Sequence, residues 1–543
     1  MNIRNFGLAA IVAAAVGFPA VAGAEEFPAY FGSAQPKFGG DIVYAIESEI
    51  PNMDPHITFG GSNKRVVFSV FEGLIKRDRA NIDFKASPFK SPKLVGGLAA
   101  SWDVMDGGKR YRFHLREGIQ FHDGTNFDAD SVVFNFQRII DKNFKYYYER
   151  ANALKSGPLK FVTSVERVDN KTVDFILSKP WGPFLSQLGG WLAPGLPLIV
   201  SPKSIMEFGN ESVNTKPVGT GPFMVTKIEP GIQVVTKRNP NYWNGPQPYL
   251  DSITYVVMAE QSTRVFALER GEVDVVTQIS PDNITRLKKT GFGVVESPIS
   301  NQMWYMAVNV SEPPFNDVRV RQAVNYAINR DAITDQLLQG ICIPSDNIVF
   351  PTSPLYNKKR RYPFDQKKAK QLLAEAGYPD GFTTKIRVPT SGSSMLVPVA
   401  MAEWIQRDMA KVGIKLEIIT NDWVTYLGFW LKGLESGEGF NVMSWASDYD
   451  EFWGNDLFVK GSFGNGGHID DPSIKDGYVK YQEVATEKER LDVAAGIFTT
   501  VLEQAYTVPV CSEKINVLTS KRLKGLLPLT DPGHLTQFWW VDK

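Results

Sequence analysis

Cysteine is scarce. Two residues in 543, Cys342 and Cys511, exclude a disulfide-dense scaffold and a four-cysteine zinc module. Net charge is missing too: Lys+Arg and Asp+Glu are both 59, so the chain lacks the overall positive field on which nucleic-acid binding draws. Beyond the first two dozen residues no uninterrupted apolar run approaches the roughly 18 to 20 residues of a membrane span. Histidine is rare, with His56, His114, His122, His468 and His534, and no H-E-x-x-H pair that would grip zinc from one helix face. His468 beside Gly466-Gly467 is only a weak metal candidate, and no cofactor is expected.

Other catalytic signatures fail on named residues. Gly60-Gly61-Ser62-Asn63-Lys64 has neither the spacing of a phosphate loop nor a hydroxyl after the lysine. No G-x-S-x-G elbow is present. In Asp448-Tyr449-Asp450-Glu451-Phe452-Trp453-Gly454-Asn455-Asp456 a phenylalanine stands where a calcium loop needs an oxygen, and the glycine falls one place late. Nothing in the sequence demands catalysis, and the expectation is that the protein is not an enzyme.

What is present is a globular composition, 43% hydrophobic and 12% aromatic. The length exceeds the roughly 250 to 300 residues at which one core stops growing, so more than one lobe is expected. Residues 1–24 read as a secretory signal peptide: Arg4, an apolar stretch from Phe6 to Val21, then Ala22-Gly23-Ala24. A membrane anchor is the competing reading. No cysteine stands at the cleavage point to take a lipid, so the mature chain is expected to be soluble in a bacterial periplasm. In that oxidising space Cys342 and Cys511 either pair or remain two buried free thiols; a disulfide needs a Cα separation of about 4.4 to 6.8 Å, which sequence does not supply.

Alternating segments with helical segments between them predict an α/β fold. Tyr111-Arg112-Phe113-His114-Leu115 alternates as a strand after a Gly107-Gly108 turn. Helices are expected from a cap at Asp128 to Ile139, from Val318 to a stop at Gly340, from Asp365 to Gly377, and from Val397 to Val412, with a strand at Ile414–Ile418. Asn301 to Asn309 reads as a strand passing from one compact region to another. A second crossing falls near Val508 to Cys511, because the tail is too short for its own core and must return to the first lobe. Two such strands make a hinge.

Several segments together resemble the periplasmic solute-binding proteins of ABC importers, in the family of oligopeptide, dipeptide and nickel binders. Leu98-Ala99-Ala100-Ser101-Trp102-Asp103 followed by Tyr111 to Thr125, which ends Phe121-His122-Asp123-Gly124-Thr125, is similar to a long signature of that family. Asn52-Met53-Asp54-Pro55, Phe71-Glu72-Gly73-Leu74, Gly219-Thr220-Gly221-Pro222-Phe223, Asn239-Pro240-Asn241-Tyr242-Trp243, Gly271-Glu272-Val273-Asp274 and Pro314 to Ala323 follow in the family's order. The resemblance implies a two-lobed α/β periplasmic-binding-protein (Venus-flytrap) fold with an enlarged N-terminal lobe. Lobe I is expected over 25–302 plus 512–543, with a subdomain at about 75–205, and lobe II over 303–511. It further implies a monomer that encloses a small-molecule or peptide ligand and delivers it to an inner-membrane ABC permease. The signature segments themselves are read as scaffold.

For the pocket, Ser444-Trp445-Ala446-Ser447-Asp448-Tyr449 resembles the oligopeptide binders' W-x-A-D-Y, whose aspartate takes the ligand's ammonium; Asp448 is the matching residue, with Trp445 and Ser447 beside it. Asp422-Trp423 to Leu427 resembles a segment whose tryptophan lines the cleft, which implicates Trp423. Met303 and Tyr305 face one side of the crossing strand and Trp304 the other. Thr58 and Phe59 match a first-lobe loop that meets ligand in relatives. Dipeptide binders carry an arginine before the helix matching Val397 to Val412; Pro389-Thr390-Ser391-Gly392-Ser393-Ser394-Met395 has none. That departure keeps an opine, sugar-phosphate or oligosaccharide ligand open as an alternative, and a secreted hydrolase stands as the alternative from another class.

Overall fold

The computed structural model describes residues 28–58, 61–82, 92–190, 195–297, 302–351, 353–357, 359–392, 395–446, 451–484, 486–529 and 534–542. The expected signal segment 1–24, Phe59, Ser447 and Asp448 lie outside them. Among the described residues no helix is long and apolar enough to cross a membrane.

Two large sheets with helices packed on them make a two-lobed α/β molecule. The first sheet has seven strands in the order Gly293–Glu296, Asn516–Thr519, Val275–Thr277, Asp41–Ile46, Ser252–Val257, Gln233–Arg238, Phe223–Glu229. Its centre is parallel: Asp41–Ile46 pairs with Ser252–Val257 on one side and Val275–Thr277 on the other. The second sheet has six, Cys342–Pro344, Thr507–Glu513, Gln302–Val308, Glu438–Ala446, Phe382–Pro389 and Ile414–Asn421. A four-stranded antiparallel unit, Ala99–Met105, Arg110–Leu115, Thr172–Leu177 and Val162–Asp169, stands on the first lobe.

The chain changes sheet twice, between Glu296 and Gln302 and between Glu513 and Asn516. The two passages are bonded to each other: Ser297 N–H donates to the Ile515 carbonyl at 2.9 Å, and Ile515 N–H to Ser297 Oγ at 2.8 Å. The tail then closes on the first sheet through Asp274, which accepts from Arg522 Nη2 at 2.6 Å and Ser520 Oγ at 2.7 Å. The question left open by the cysteines is settled by a disulfide, Cys342–Cys511, with Cα atoms 5.7 Å apart. It staples the edge strand to the strand that leads into the second passage.

Asp128 caps Ala129–Ile140 by accepting from Ser131 N–H at 2.9 Å, and Asp365 caps Gln366–Glu375 from Lys368 N–H at 2.8 Å. One expected helix is three pieces. Val318–Ala327 stops at Ile328, Asn329 caps a new turn at Arg330–Ala332, and a π-helix, Ile333–Leu337, follows. The break has a cause in Asn329, whose side chain accepts from Ala332 N–H at 3.1 Å and so restarts the helix.

Three of the resemblance segments meet at one buried carboxylate. Glu72 accepts from Thr220 Oγ1 at 2.9 Å, Tyr242 OH at 3.0 Å and Trp243 Nε1 at 2.7 Å. A fourth segment is fixed by His122, whose Nδ1 accepts from Gly219 N–H at 3.3 Å while Nε2 donates to the Gly221 carbonyl at 2.9 Å. These motifs build the first lobe.

Candidate functional site

Ligands of open α/β sheets gather beyond the carboxyl ends of parallel strands. In the first lobe the strands Asp41–Ile46 and Val275–Thr277 end side by side, and Glu47, Ser48 and Thr277 occupy those ends. Glu47 pairs with Arg65 at 2.6 Å and accepts from the hydroxyls of Ser62 and Thr277, each at 3.1 Å; Ser48 Oγ donates to Ser62 Oγ at 2.8 Å. Burial by itself pushes Glu47 up, but the Arg65 guanidinium outweighs it and holds the carboxyl at about 2. This polar group was missed from sequence. The signal was there in the strand Asp41–Ile46 running directly into Glu47-Ser48.

The loop leading to Phe59 is anchored from beneath. Arg138 Nη2 donates to Asp54 Oδ2 at 2.5 Å, its Nη1 donates to His56 Nδ1 at 2.7 Å, and His56 Nε2 donates to the Leu198 carbonyl at 2.8 Å. Burial holds His56 at about 4, so the imidazole is neutral with one nitrogen accepting and the other donating. Thr58 is bonded into this anchor. Its hydroxyl donates to the Asp54 carbonyl at 2.7 Å and its own carbonyl accepts from Gly195 N–H at 2.9 Å.

In the second lobe Met303, Trp304 and Tyr305 are all buried. They stand on the strand Gln302–Val308, every residue of which is buried. Tyr305 pairs with Met443 on the neighbouring strand and lies under Tyr426 and Trp430. Trp304 pairs with Ser444 and Cys511, and its indole Nε1 has no hydrogen-bond partner among the described residues.

Trp445 and Trp423 sit differently, half-buried at the border of the aromatic core. Trp445 stacks on Trp430 at 5.9 Å between ring centroids and tilts on Phe463 at 5.7 Å, and its Nε1 also lacks a partner among the described residues. It stands one residue from the end of its strand, two before Ser447 and three before Asp448. Trp423 opens the helix Trp423–Lys432, capped by Asp422 through Thr425 N–H at 3.0 Å, and stacks with Tyr426 at 5.9 Å. A Cβ on Gly392 would lie 2.3 Å from the Trp423 ring. Glycine there leaves room for the indole against the backbone at 392. The nearby cation, Arg387, is held by Glu438 and donates to Asn421 Oδ1 at 2.9 Å. Close by, Glu513 is buried and accepts from Ser444 Oγ at 3.0 Å; loss of solvent raises its carboxyl to about 8.

Among the described residues no group of three His, Cys, Asp or Glu side chains is placed to hold a metal ion. His468 is exposed, with Nε2 bonded to the Leu434 carbonyl at 2.7 Å.

Comparison with known proteins agrees with this architecture. Residues 93–462 match the profile described as the bacterial extracellular solute-binding proteins, family 5 Middle. The dipeptide-binding protein of Escherichia coli K12 is 33% identical over 424 residues, covering 75% of this chain and 76% of that protein. The glutathione-binding protein GsiB of the same strain is 30% identical over 510 residues, covering 91% and 93%. Among solved structures, the periplasmic binding protein DppA of Helicobacter pylori with the peptide STSA superposes with a TM-score of 0.80 at 26% identity, covering 93% of this chain and 99% of that one.

Proposed function

This chain belongs to family 5 of the bacterial extracellular solute-binding proteins, the periplasmic binding components of ABC importers in Gram-negative bacteria, and on that premise we propose that it captures a peptide or peptide-like solute between its lobes. The solute is then released unchanged to an inner-membrane permease. The protein performs no chemistry on it and acts as a monomer, exported by the segment 1–24.

The observation that carries this reading is the Trp430–Trp445–Phe463 stack. It brings a half-buried indole, whose buried Nε1 has no partner among the described residues, to the penultimate position of a strand, two residues before Ser447. Asp448 receives the solute's ammonium as a charge-assisted bond, and Trp445, Trp423 and Phe59 supply the apolar walls. The relatives are named as binding proteins for a dipeptide and for glutathione, and both solutes carry a free amine beside peptide bonds. A second reading, an opine, sugar or sugar-phosphate ligand, is favoured by Gly392 standing against Trp423 and by Arg387 being held by Glu438.

A thermal-shift screen of peptides, opines and oligosaccharides separates the two, because a ligand that binds only the folded state raises the melting midpoint with its concentration. Peptides with free amines are expected to raise it and their N-acetylated forms to leave it in place. A shift with sugars alone refutes the peptide reading.

A further inference from the structure

The second lobe contains a cavity of about 750 Å³, a size suited to a small organic ligand. It lies at the end of the six-stranded sheet away from the lobe passages. Gln302–Val308 starts next to the first passage and runs seven residues, about 20 Å, to Val310 and Ser311 in the cavity wall. The neighbouring strand Thr507–Glu513 begins at that same end, just after Tyr506, which also lines the cavity. Ala446, by contrast, pairs with Gln302 at the other end, where the parallel strands Phe382–Pro389 and Glu438–Ala446 finish. Phe463 borders both regions: it lines the cavity and tilts on Trp445 at 5.7 Å.

The cavity wall includes a buried cation that lacks a carboxylate. Arg321, on the helix Val318–Ala327, is only 4% exposed. Its Nε donates to the Gln504 carbonyl at 2.8 Å, and its Nη1 donates to the Phe315 and Asn316 carbonyls at 2.8 and 3.2 Å. Among the described residues its Nη2 makes no hydrogen bond and no acid pairs with the guanidinium. The nearby carboxylate, Asp317, is taken by Arg319. Arg330, buried in the same lobe, shows the contrast: it uses Nε on the Pro509 carbonyl and both Nη atoms on Asn325, and it is not part of the wall. Burying a charge is costly unless it is paired. The Tyr506 ring, 5.2 Å from Arg321 Cζ, offsets only part of that cost.

The remaining charges of the wall have the same sign in excess. Lys432, exposed at the end of the helix Trp423–Lys432, has no ion-pair partner among the described residues. Lys460 pairs with Asp470, the one acid in the described wall. A neutral or cationic guest would leave Arg321 uncompensated, whereas an oxyanion would give it a charge-assisted bond.

We propose that this cavity is a second binding site, distinct from the solute cleft, for a small organic anion whose carboxylate or phosphate group meets Arg321 and Lys432. The site stands whether or not the solute of the cleft is a peptide, because none of its residues belongs to the proposed solute contacts.

The test is calorimetric titration of citrate, glucose 6-phosphate and inorganic phosphate into the wild type at low salt, with glucose as the neutral control. At least one anion is expected to bind with a Kd of about 1 mM or tighter, and glucose is not. Lys432→Gln should weaken that binding about tenfold, and Arg321→Gln should abolish it. Asp470→Asn should strengthen it about threefold, because the substitution removes the acid of the wall and releases Lys460. Lys432 and Asp470 are exposed, so these two variants carry the test if Arg321→Gln fails to fold. Binding of citrate alone supports the site as one for carboxylates, and binding of the phosphates alone supports it as one for phosphates. No binding of any of the three anions at about 10 mM overturns the proposal. Equal affinity in Lys432→Gln and wild type, or weaker binding in Asp470→Asn, overturns it as well.

Discussion

The buried groups that loss of solvent keeps neutral differ between the lobes, although the first lobe also buries the ion-paired carboxylates of Glu47 and Asp54. In the first lobe they are neutral histidines, His56 and His122, each with one ring nitrogen accepting and the other donating, and each held at about 4 by burial. In the second lobe the outstanding case is an acid, Glu513, raised to about 8. Buried histidine resists acid only until its proton is forced on, whereas buried glutamic acid resists base only until its proton is pulled off. These histidines therefore weigh against the folded first lobe on acidification, and Glu513 against the second on alkalinisation.

The largest expected effect is on the acid side. A histidine whose folded value lies below its unfolded value of about 6.5 stabilises above that value and loses the contribution as pH falls through the folded value; for His56 and His122 together this amounts to roughly 6 kcal/mol between pH 7.5 and 4. Denaturant titrations at the two pH values check it, and equal midpoints contradict it. Next is Arg138→Ala, which leaves the Asp54 carboxylate buried without its guanidinium and should cost about 3 to 5 kcal/mol, read by the same titration at pH 7.5. A loss under about 1 kcal/mol would show that water replaces the ion pair.

On the basic side Glu513 works with the opposite sign. Its folded value is raised, so its contribution is complete below the unfolded value near 4.5 and is lost as pH climbs to about 8. Wild type should lose roughly 3 kcal/mol between pH 5.5 and 8 that Glu513→Gln does not lose. Parallel pH profiles for the two proteins would remove Glu513 from the argument. Smallest is Trp445→Ala, expected to weaken peptide binding about tenfold while leaving both pH limbs untouched, as measured by calorimetry. A shift in either limb would mean the indole is packing rather than wall.

Much of the fold could be read from the chain because its signals are local. Asp128 and Asp365 as caps, Gly377 and Gly413 as stops and the alternation of Arg110–Leu115 need no distant partner. The split of Val318 to Gly340 was hidden, since the apolar spacing continues across Asn329 and only its side-chain bond marks the restart. The site was less readable for the same reason. That Thr58 is buried depends on Asp54 and Gly195, and that Met303, Trp304 and Tyr305 are buried in a sheet interior depends on strands contributed from far along the chain. Glu47 with Arg65 was overlooked because neither belongs to a motif; their meaning comes from the parallel strand ends that bring them together.

Native mass spectrometry of the protein mixed with a free-amine peptide tests the whole account in one step. The account predicts a one-to-one complex whose mass is the sum of its parts and, on dissociation, a peptide of unchanged mass. Peptide fragments, or no complex with any peptide at concentrations where a sugar or opine does bind, would contradict it.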